Sequence, residues 1–414
     1  MASNPRLMPP SRERSQPLEA NILLTATFCL LAAGAVMVYS ASSARTLLQG
    51  QGDGTAFLVK YIGYGAIGLV AMHVLSRRGL EYVVRFTTPF LFVCFGLLVA
   101  VKIPGIGVEI NGARRWIGAG PLQFQPSELM KLGLVLYAVK LLATKPKIVR
   151  SPRLLVPFGT VAVAACALIA SQPDLGTALV ISFTMATLLI AAGLSGRHLM
   201  TAIGAAVVLI LLFALLEPYR RARLTTFLNP WADAGGDGFQ SVQGQIALGS
   251  GGLFGRGLGE SVQKVFYLPE AHTDFILAII GEELGVLGVG VVLFLYGLIA
   301  YAGLRVAKGA KGAYGKLLAV GLTSMILCQG TLNVFTVLGL APLTGVPLPF
   351  LSYGSTNLMV LLASMGLLLN VAQGGVAHVR AVPGSRADDT SADRSRRDSR
   401  PRGARPGGRR RATG

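Results

Sequence analysis

Long apolar runs separated by short polar stretches dominate the 414-residue chain. The runs are roughly 17–25 residues long, the length at which a helix crosses a hydrocarbon core. They predict about ten spans, roughly over 20–41, 57–76, 84–102, 126–143, 154–171, 175–193, 198–216, 274–302, 316–338 and 355–372. The expected fold is an all-α polytopic integral membrane protein, with a large extracytoplasmic loop between spans seven and eight. A membrane β-barrel would instead read as short segments of alternating polarity. The first run imitates a signal peptide, with Ala41-Ser42-Ser43-Ala44 as a cleavage site. It is longer than the about 7–15 residues of a signal-peptide core, so it is expected to remain as an anchor.

Composition agrees, with 52% apolar and 14% charged residues, against about 25% charged in a soluble chain. The net charge of +19 is distributed unevenly. With the N-terminus inside, the short inner loops hold Arg77, Arg78, Arg85, Lys145, Lys147, Arg197, Arg305, Lys308 and Lys311. This bias puts both termini in the cytoplasm. Topology and attraction to anionic membrane lipids account for the charge, with no nucleic-acid partner. Residues 1–18 and 377–414 are too polar to bury a core and read as disordered cytoplasmic tails around a membrane domain over 19–376. Cys29, Cys94, Cys166 and Cys328 all fall within expected spans, with no metal spacing.

Two Arg clusters break the inside bias: Arg114-Arg115, and Arg220, Arg221 and Arg223. Loop salt bridges or headgroup contact would explain them. So would an anionic ligand, since the guanidinium fork matches phosphate oxygens. The connection over 217–273 is too long for an ordinary loop. Its Phe227, Trp231, Phe239 and Tyr267 predict short surface helices rather than disorder. Its glycines, Gly249 to Gly259, lack a nucleotide-loop context and read as tight turns and close backbone packing.

Polar residues crowd the ends of several spans. Gln125-Pro126-Ser127-Glu128 opens span four, with Glu128 and Lys131 on one helix face, spaced to pair. Asp174 stands in a tight turn as a helix cap or a pocket acid. Glu282 and Glu283 lie inside span eight and need partners or a polar cavity. The loop from Leu340 to Asn357 carries Pro342, Pro347 and Pro349 and is expected to be irregular. Leu268-Pro269-Glu270-Ala271-His272-Thr273-Asp274-Phe275 sets three ionisable groups at the mouth of an apolar span. From the residues alone, Asp274 reads equally as a helix cap or as a reacting group.

Taken together, several blocks resemble the SEDS family, the polytopic peptidoglycan polymerases that include FtsW, RodA and SpoVE. They are Gly112-Ala113-Arg114-Arg115-Trp116-Ile117, Gln125 to Glu128, Gln172 to Thr177, Leu268 to Phe275 with Glu282-Glu283-Leu284-Gly285, and Pro347 to Gly354. The run from Gly257 to Lys264 leading into Tyr267 is closer to the FtsW branch, whose role is septal synthesis in cell division, than to the elongation branch of RodA. One departure is Gly354-Ser355-Thr356-Asn357, where members usually carry a second glycine. The resemblance implies a glycosyltransferase acting on lipid II, with Asp274 as its essential acid and a class B penicillin-binding protein and other divisome membrane proteins as partners. It makes Arg114, Arg115, Arg220, Arg223, Lys264, Glu270, His272, Gln125, Ser352 and Tyr353 candidate lipid II contacts. Glu128, Lys131, Asp174, Glu282 and Glu283 are expected to be structural, and Mg or Mn is a candidate cofactor. A lipid II transporter and a non-catalytic division scaffold are the alternatives.

The charge bias generates a topology test. With the native cysteines replaced, Asp237→Cys is expected to react with an impermeant maleimide in intact cells. Lys311→Cys should react only after permeabilisation, and the opposite pattern would reverse the orientation.

Overall fold

A computed structural model of the chain describes residues 17–377, apart from 49, 51–53, 111, 120–121, 147–151, 202–203, 205–224 and 266. The two polar tails lie almost wholly outside the described residues, as does most of the span expected over 198–216. The helices are α1 (Leu18–Leu48), α2 (Ala56–Arg77), α3 (Leu80–Ala100), α4 (Pro126–Thr144), α5 (Pro152–Ala170) and α6 (Leu175–Ala191). They continue with α7 (Phe239–Ser250), α8 (Ile276–Gly309), α9 (Gly312–Val337) and α10 (Ser355–Ala372).

Among the described residues, six helices are long and apolar enough to cross a membrane: α1, α2, α3, α8, α9 and α10. The apolar parts of α5 and α6 are shorter, and α4 carries Glu128, Lys131 and Lys140. The most apolar stretches of α9 and α10 are 83% buried, against 22% in α2, α3 and α8. So α9 and α10 form the centre, and the outer helices present Phe92, Val70 and Phe294 outward. α10 packs chiefly on α2, α1 on α8, and α9 on α8 and α6.

The connection between α3 and α4 departs from the all-α expectation. It folds as a three-stranded antiparallel sheet in the order β1 (Gly107–Ile110), β2 (Ala113–Ala119) and β3 (Leu122–Phe124). Ile110 pairs with Ala113 across Asn111-Gly112, and Gly112 has φ +75°, as a tight hairpin turn requires. The register shifts between Val108 and Glu109, so Glu109 faces Arg114 while Arg115 has no cross-strand partner. Bulges of this kind re-aim a side chain.

α8 is broken at Gly285, with φ 68° and ψ −165°. A break in a helix frees backbone groups that lipid cannot satisfy. The glycine-rich segment supplies the partners. Arg256 N and Gly257 N donate to the carbonyls of Glu282 and Glu283, at 3.0 Å each. Val286 N and Leu287 N donate to the carbonyls of Gly252 and Leu253, at 3.0 and 3.2 Å. A methyl group on Gly285 would fall 2.4 Å from Gly255 N. The close packing expected of these glycines is thus a stitch between loop and helix.

The backbone at Gly285 lies in a region open essentially to glycine alone, where strain costs about 1–3 kcal/mol. Gly285→Ala is therefore expected to lower the apparent melting temperature of the detergent-solubilised protein. An unchanged melting curve would show that the break is not needed.

Candidate active site

Four segments converge on one end of the bundle: the Gln172–Thr177 turn, the start of α4, residues 268–275 and the loop from α9 to α10. Gly176 meets this last loop so closely that a methyl group would stand 2.6 Å from the Thr344 carbonyl. Asp174 caps α6, accepting from Thr177 N at 3.2 Å, and accepts from Gln125 and Ser127 at 3.0 Å each. Gln125 N in turn donates to Thr356 Oγ1 at 2.9 Å. Pro126 at the first turn of α4 sets these contacts in register.

Asp274 is half-buried at the head of α8. The N-cap of that helix is Phe275, so Asp274 stands one residue before it. Asn333 of α9 locks its main chain: Nδ2 donates to the Asp274 carbonyl at 2.7 Å and to the Val346 carbonyl at 2.8 Å. A methyl group on Gly345 would stand 3.8 Å from Asp274 Oδ2, so the last loop passes directly beside the carboxylate. The Thr273 hydroxyl lies 3.1 Å from Asp274 Oδ1 and 3.2 Å from Glu270 Oε2. Glu270 has φ 53°, a strained backbone that turns its side chain back toward Thr273.

His272 is buried rather than solvated, with its ring 4.4 Å from Phe57 and 5.7 Å from Tyr353 between centroids. The His272 carbonyl accepts from Tyr353 N at 2.9 Å, joining the two loops again. Burial, with Tyr64 adding to it, pushes the Tyr353 hydroxyl up to about 12, so it stays protonated and can donate at neutral pH. Ser352 Oγ accepts from Leu348 N at 2.8 Å inside its own turn. Phe350 has φ 64°, and the carbonyls of Phe350 and Pro349 accept from the hydroxyls of Tyr61 and Tyr296. These tyrosines hold the strained loop against α2 and α8.

Beneath the loop lies a buried polar seam. Lys131 Nζ contacts Glu128 Oε2 at 2.8 Å and Gln329 Oε1 at 2.6 Å. Gln329 Nε2 donates to the Pro347 carbonyl at 2.8 Å and to Asn357 at 2.9 Å. Gln329 and Asn333 stand one turn apart on α9, so one helix face serves both the seam and Asp274.

Comparison with known proteins now decides the family. The model of the cell cycle protein family FtsW/RodA/SpoVE matches residues 21–375. The chain belongs to that family. Stage V sporulation protein E of Bacillus subtilis is 41% identical over 355 residues, covering 85% of this chain and 96% of the relative. A probable peptidoglycan glycosyltransferase FtsW of Geobacter sulfurreducens is 39% identical over 352 residues, covering 84% and 94%. Among solved structures, a chain of a peptidoglycan synthase complex, studied for the coordination of polymerization and crosslinking, has a TM-score of 0.71. It is 30% identical and covers 86% of this chain and 98% of that one. The rod shape determining protein RodA of Thermus thermophilus has a TM-score of 0.64 at 29% identity, covering 86% and 97%. With its apolar helices, this FtsW/RodA/SpoVE-family chain is a multi-pass membrane protein.

Several cations expected to meet ligand are committed within this family member. Arg114 pairs with Glu109 at 3.1 Å, both about half exposed, a contact worth only ~0–1 kcal/mol. Arg115 donates to the carbonyls of Gln172, at 2.9 Å, and Pro173. Lys264 is buried and paired within the protein. Its ammonium contacts Glu283 at 2.8 Å, Ser40 at 3.1 Å and the Gly259 carbonyl at 2.6 Å, which uses its three hydrogens. Ser40 of α1 also donates to Glu283 at 2.7 Å. Glu282 accepts from Ser261, Val262 N and Arg256 at 2.6, 3.1 and 3.4 Å. Arg220, Arg221 and Arg223 lie outside the described residues. Among the described residues, no group of three or more His, Cys, Asp or Glu gathers.

Sequence reasoning missed Asn333, Gln329, Ser40 and Arg256. The two amides did carry a signal, since polar residues at helical spacing within an apolar span demand partners. Ser40 and Arg256 carried none, because nothing local marks the residue that will meet a distant carboxylate.

Removing one member of a buried ion pair costs about 3–5 kcal/mol, because the other charge is left uncompensated. Lys264→Met is expected to reduce stability by that order, read from melting in detergent. Lys264→Met with Glu283→Leu should recover much of the loss, and equal damage in both variants would refute the pairing.

Proposed function

We propose that this chain is a peptidoglycan glycosyltransferase that joins lipid II units into glycan strands at the outer face of the cytoplasmic membrane. Asp274 is the general base. The chain makes ten spans, the seventh over 198–216, with the 217–273 loop outside and the tails at 1–18 and 377–414 in the cytoplasm. The observation that carries this reading is the Asp274 carboxylate. It belongs to a half-buried residue whose main chain is held by Asn333, and the last loop borders it, in a chain of the FtsW/RodA/SpoVE family.

The base takes the proton from the acceptor's 4-hydroxyl as that oxygen bonds to the donor's anomeric carbon. The bond from that carbon to the pyrophosphate oxygen breaks, and the electron pair leaves with the pyrophosphate. Attack opposite the leaving group inverts an α-linked donor to a β-linked product. No covalent intermediate is required, and a single positioned carboxylate suffices. Arg220 and Arg223 are the proposed cations for the leaving pyrophosphate, and Arg114 can exchange its weak exposed partner for a phosphate oxygen. Tyr353, His272, Gln125 and Ser352 are further proposed lipid II contacts on the same rim. Were Mg or Mn bound, Glu270, which shares Thr273 with Asp274, would be a carboxylate to hold it, and the ion would supply charge neutralisation.

The partner is a class B transpeptidase whose membrane anchor packs beside the bundle, and the setting is septal synthesis. Support comes from the relatives named FtsW and from the likeness to a chain of a peptidoglycan synthase complex.

General-base action is worth about 10²–10⁴ in rate. With purified chain, transpeptidase and lipid II, Asp274→Asn is expected to lose glycan synthesis by that factor. Polymerisation at the wild-type rate would sink the base assignment. Transfer of lipid II across proteoliposomes by wild type without chain growth would favour a transporter instead.

A further inference from the structure

One cavity takes no part in the chemistry above. It measures about 380 Å³ and is lined by the Pro230–Asp233 turn, the face of α7 and the loop after α9. Its walls combine Phe227 and Trp231 with Asp237, Gln240, Ser241 and Gln245. Among the described residues, no Lys, Arg or His lines it.

The lining fits a sugar ring. An indole presents a negative face that receives ring C–H groups, and Trp231 is 58% exposed. Amide side chains each carry donors and an acceptor, which suits hydroxyls and an acetamido group. The volume lies at the small end of the ~300–1,000 Å³ range of small-molecule pockets, which suits one ring rather than a lipid-linked disaccharide peptide.

Its position ties it to Asp274. Gly244 of α7 abuts the Phe275 ring, where a methyl group would come within 2.5 Å. Gln240 Nε2 donates to the Pro269 carbonyl at 3.4 Å. Gly339 touches Gln245, and from there the chain runs on to Gly345 beside the Asp274 carboxylate. Helix α7 and residues 339–345 therefore separate the cavity from the reacting group by one element.

We infer that this cavity is a saccharide subsite that grips an N-acetylhexosamine ring of the glycan strand next to the reacting end. Its role in polymerisation rests on the function proposed above, but its chemistry does not. The chain has two tryptophans, so Trp116→Phe leaves Trp231 as the only reporter. The full-length variant in nanodiscs is titrated with tetra-N-acetylchitotetraose, a β-1,4 acetylated oligosaccharide lacking lipid, peptide and pyrophosphate.

A saturable change in Trp231 emission is expected, about tenfold weaker after Gln245→Leu, the effect of one lost hydrogen bond. No saturable change is expected with maltotetraose. In the lipid II assay, Trp231→Ala should shorten the glycan products and raise KM, and Trp231→Phe should restore both. A flat titration with a wild type that polymerises lipid II overturns the subsite alone. A saturable titration with a wild type that makes no glycan leaves the subsite standing and sinks the polymerase. Emission that responds to the transpeptidase but not to the sugar makes the cavity a protein-docking site and overturns the inference.

Discussion

A polar group inside an apolar bundle must find its partner within the protein, because hydrocarbon offers none. Nearly every feature of this chain follows from that requirement. Glu283, fully buried in α8, draws Lys264 from the long loop and Ser40 from α1. Glu128 draws Lys131, and Lys131 draws Gln329 from α9. The break at Gly285 draws four backbone contacts from the glycine-rich segment. Each demand is met by a different element, so the demands together dictate how the helices and the loop assemble.

The same contacts produce the geometry that chemistry needs. Catalytic groups work when they are held rather than free to wander. Asp274 belongs to a loop, yet its main chain is tied to α9 through Asn333 and its neighbour His272 to Tyr353. The last loop has strained backbone at Phe350 and is held at successive carbonyls by Tyr61 and Tyr296. Residues 268–275 and the last loop are thus joined into one rim beside a half-buried carboxylate. The buried charges of the polar seam below it are partnered within the protein.

How far this was legible depended on distance along the chain. The Glu128–Lys131 contact and the Asp174 cap are local, three residues apart in each case, and helix geometry makes such pairs readable. The glycines read as sites of close packing, and the packing is there. The strands over 107–124 were missed because a short amphipathic hairpin between apolar spans is a weak pattern beside them. Arg114, Arg115 and Lys264 were read as open to ligand because a cation's internal partner is invisible without the fold. The bulge after Val108 sends Arg115 to the carbonyls of a turn 57 and 58 residues away.

By itself, the sequence determined that this is a helical membrane protein, where the long helices among its described residues lie, which family it resembles and which acid stands just before α8. Those are properties of runs and local spacing, set by the solvent each stretch prefers. Only the tertiary structure decided which charge meets which, that the last loop passes beside Asp274, and that α7 lines a cavity. Partners such as Ser40 and Glu283 lie 243 residues apart. Their meeting is a consequence of how helices pack, and packing is settled by all contacts at once.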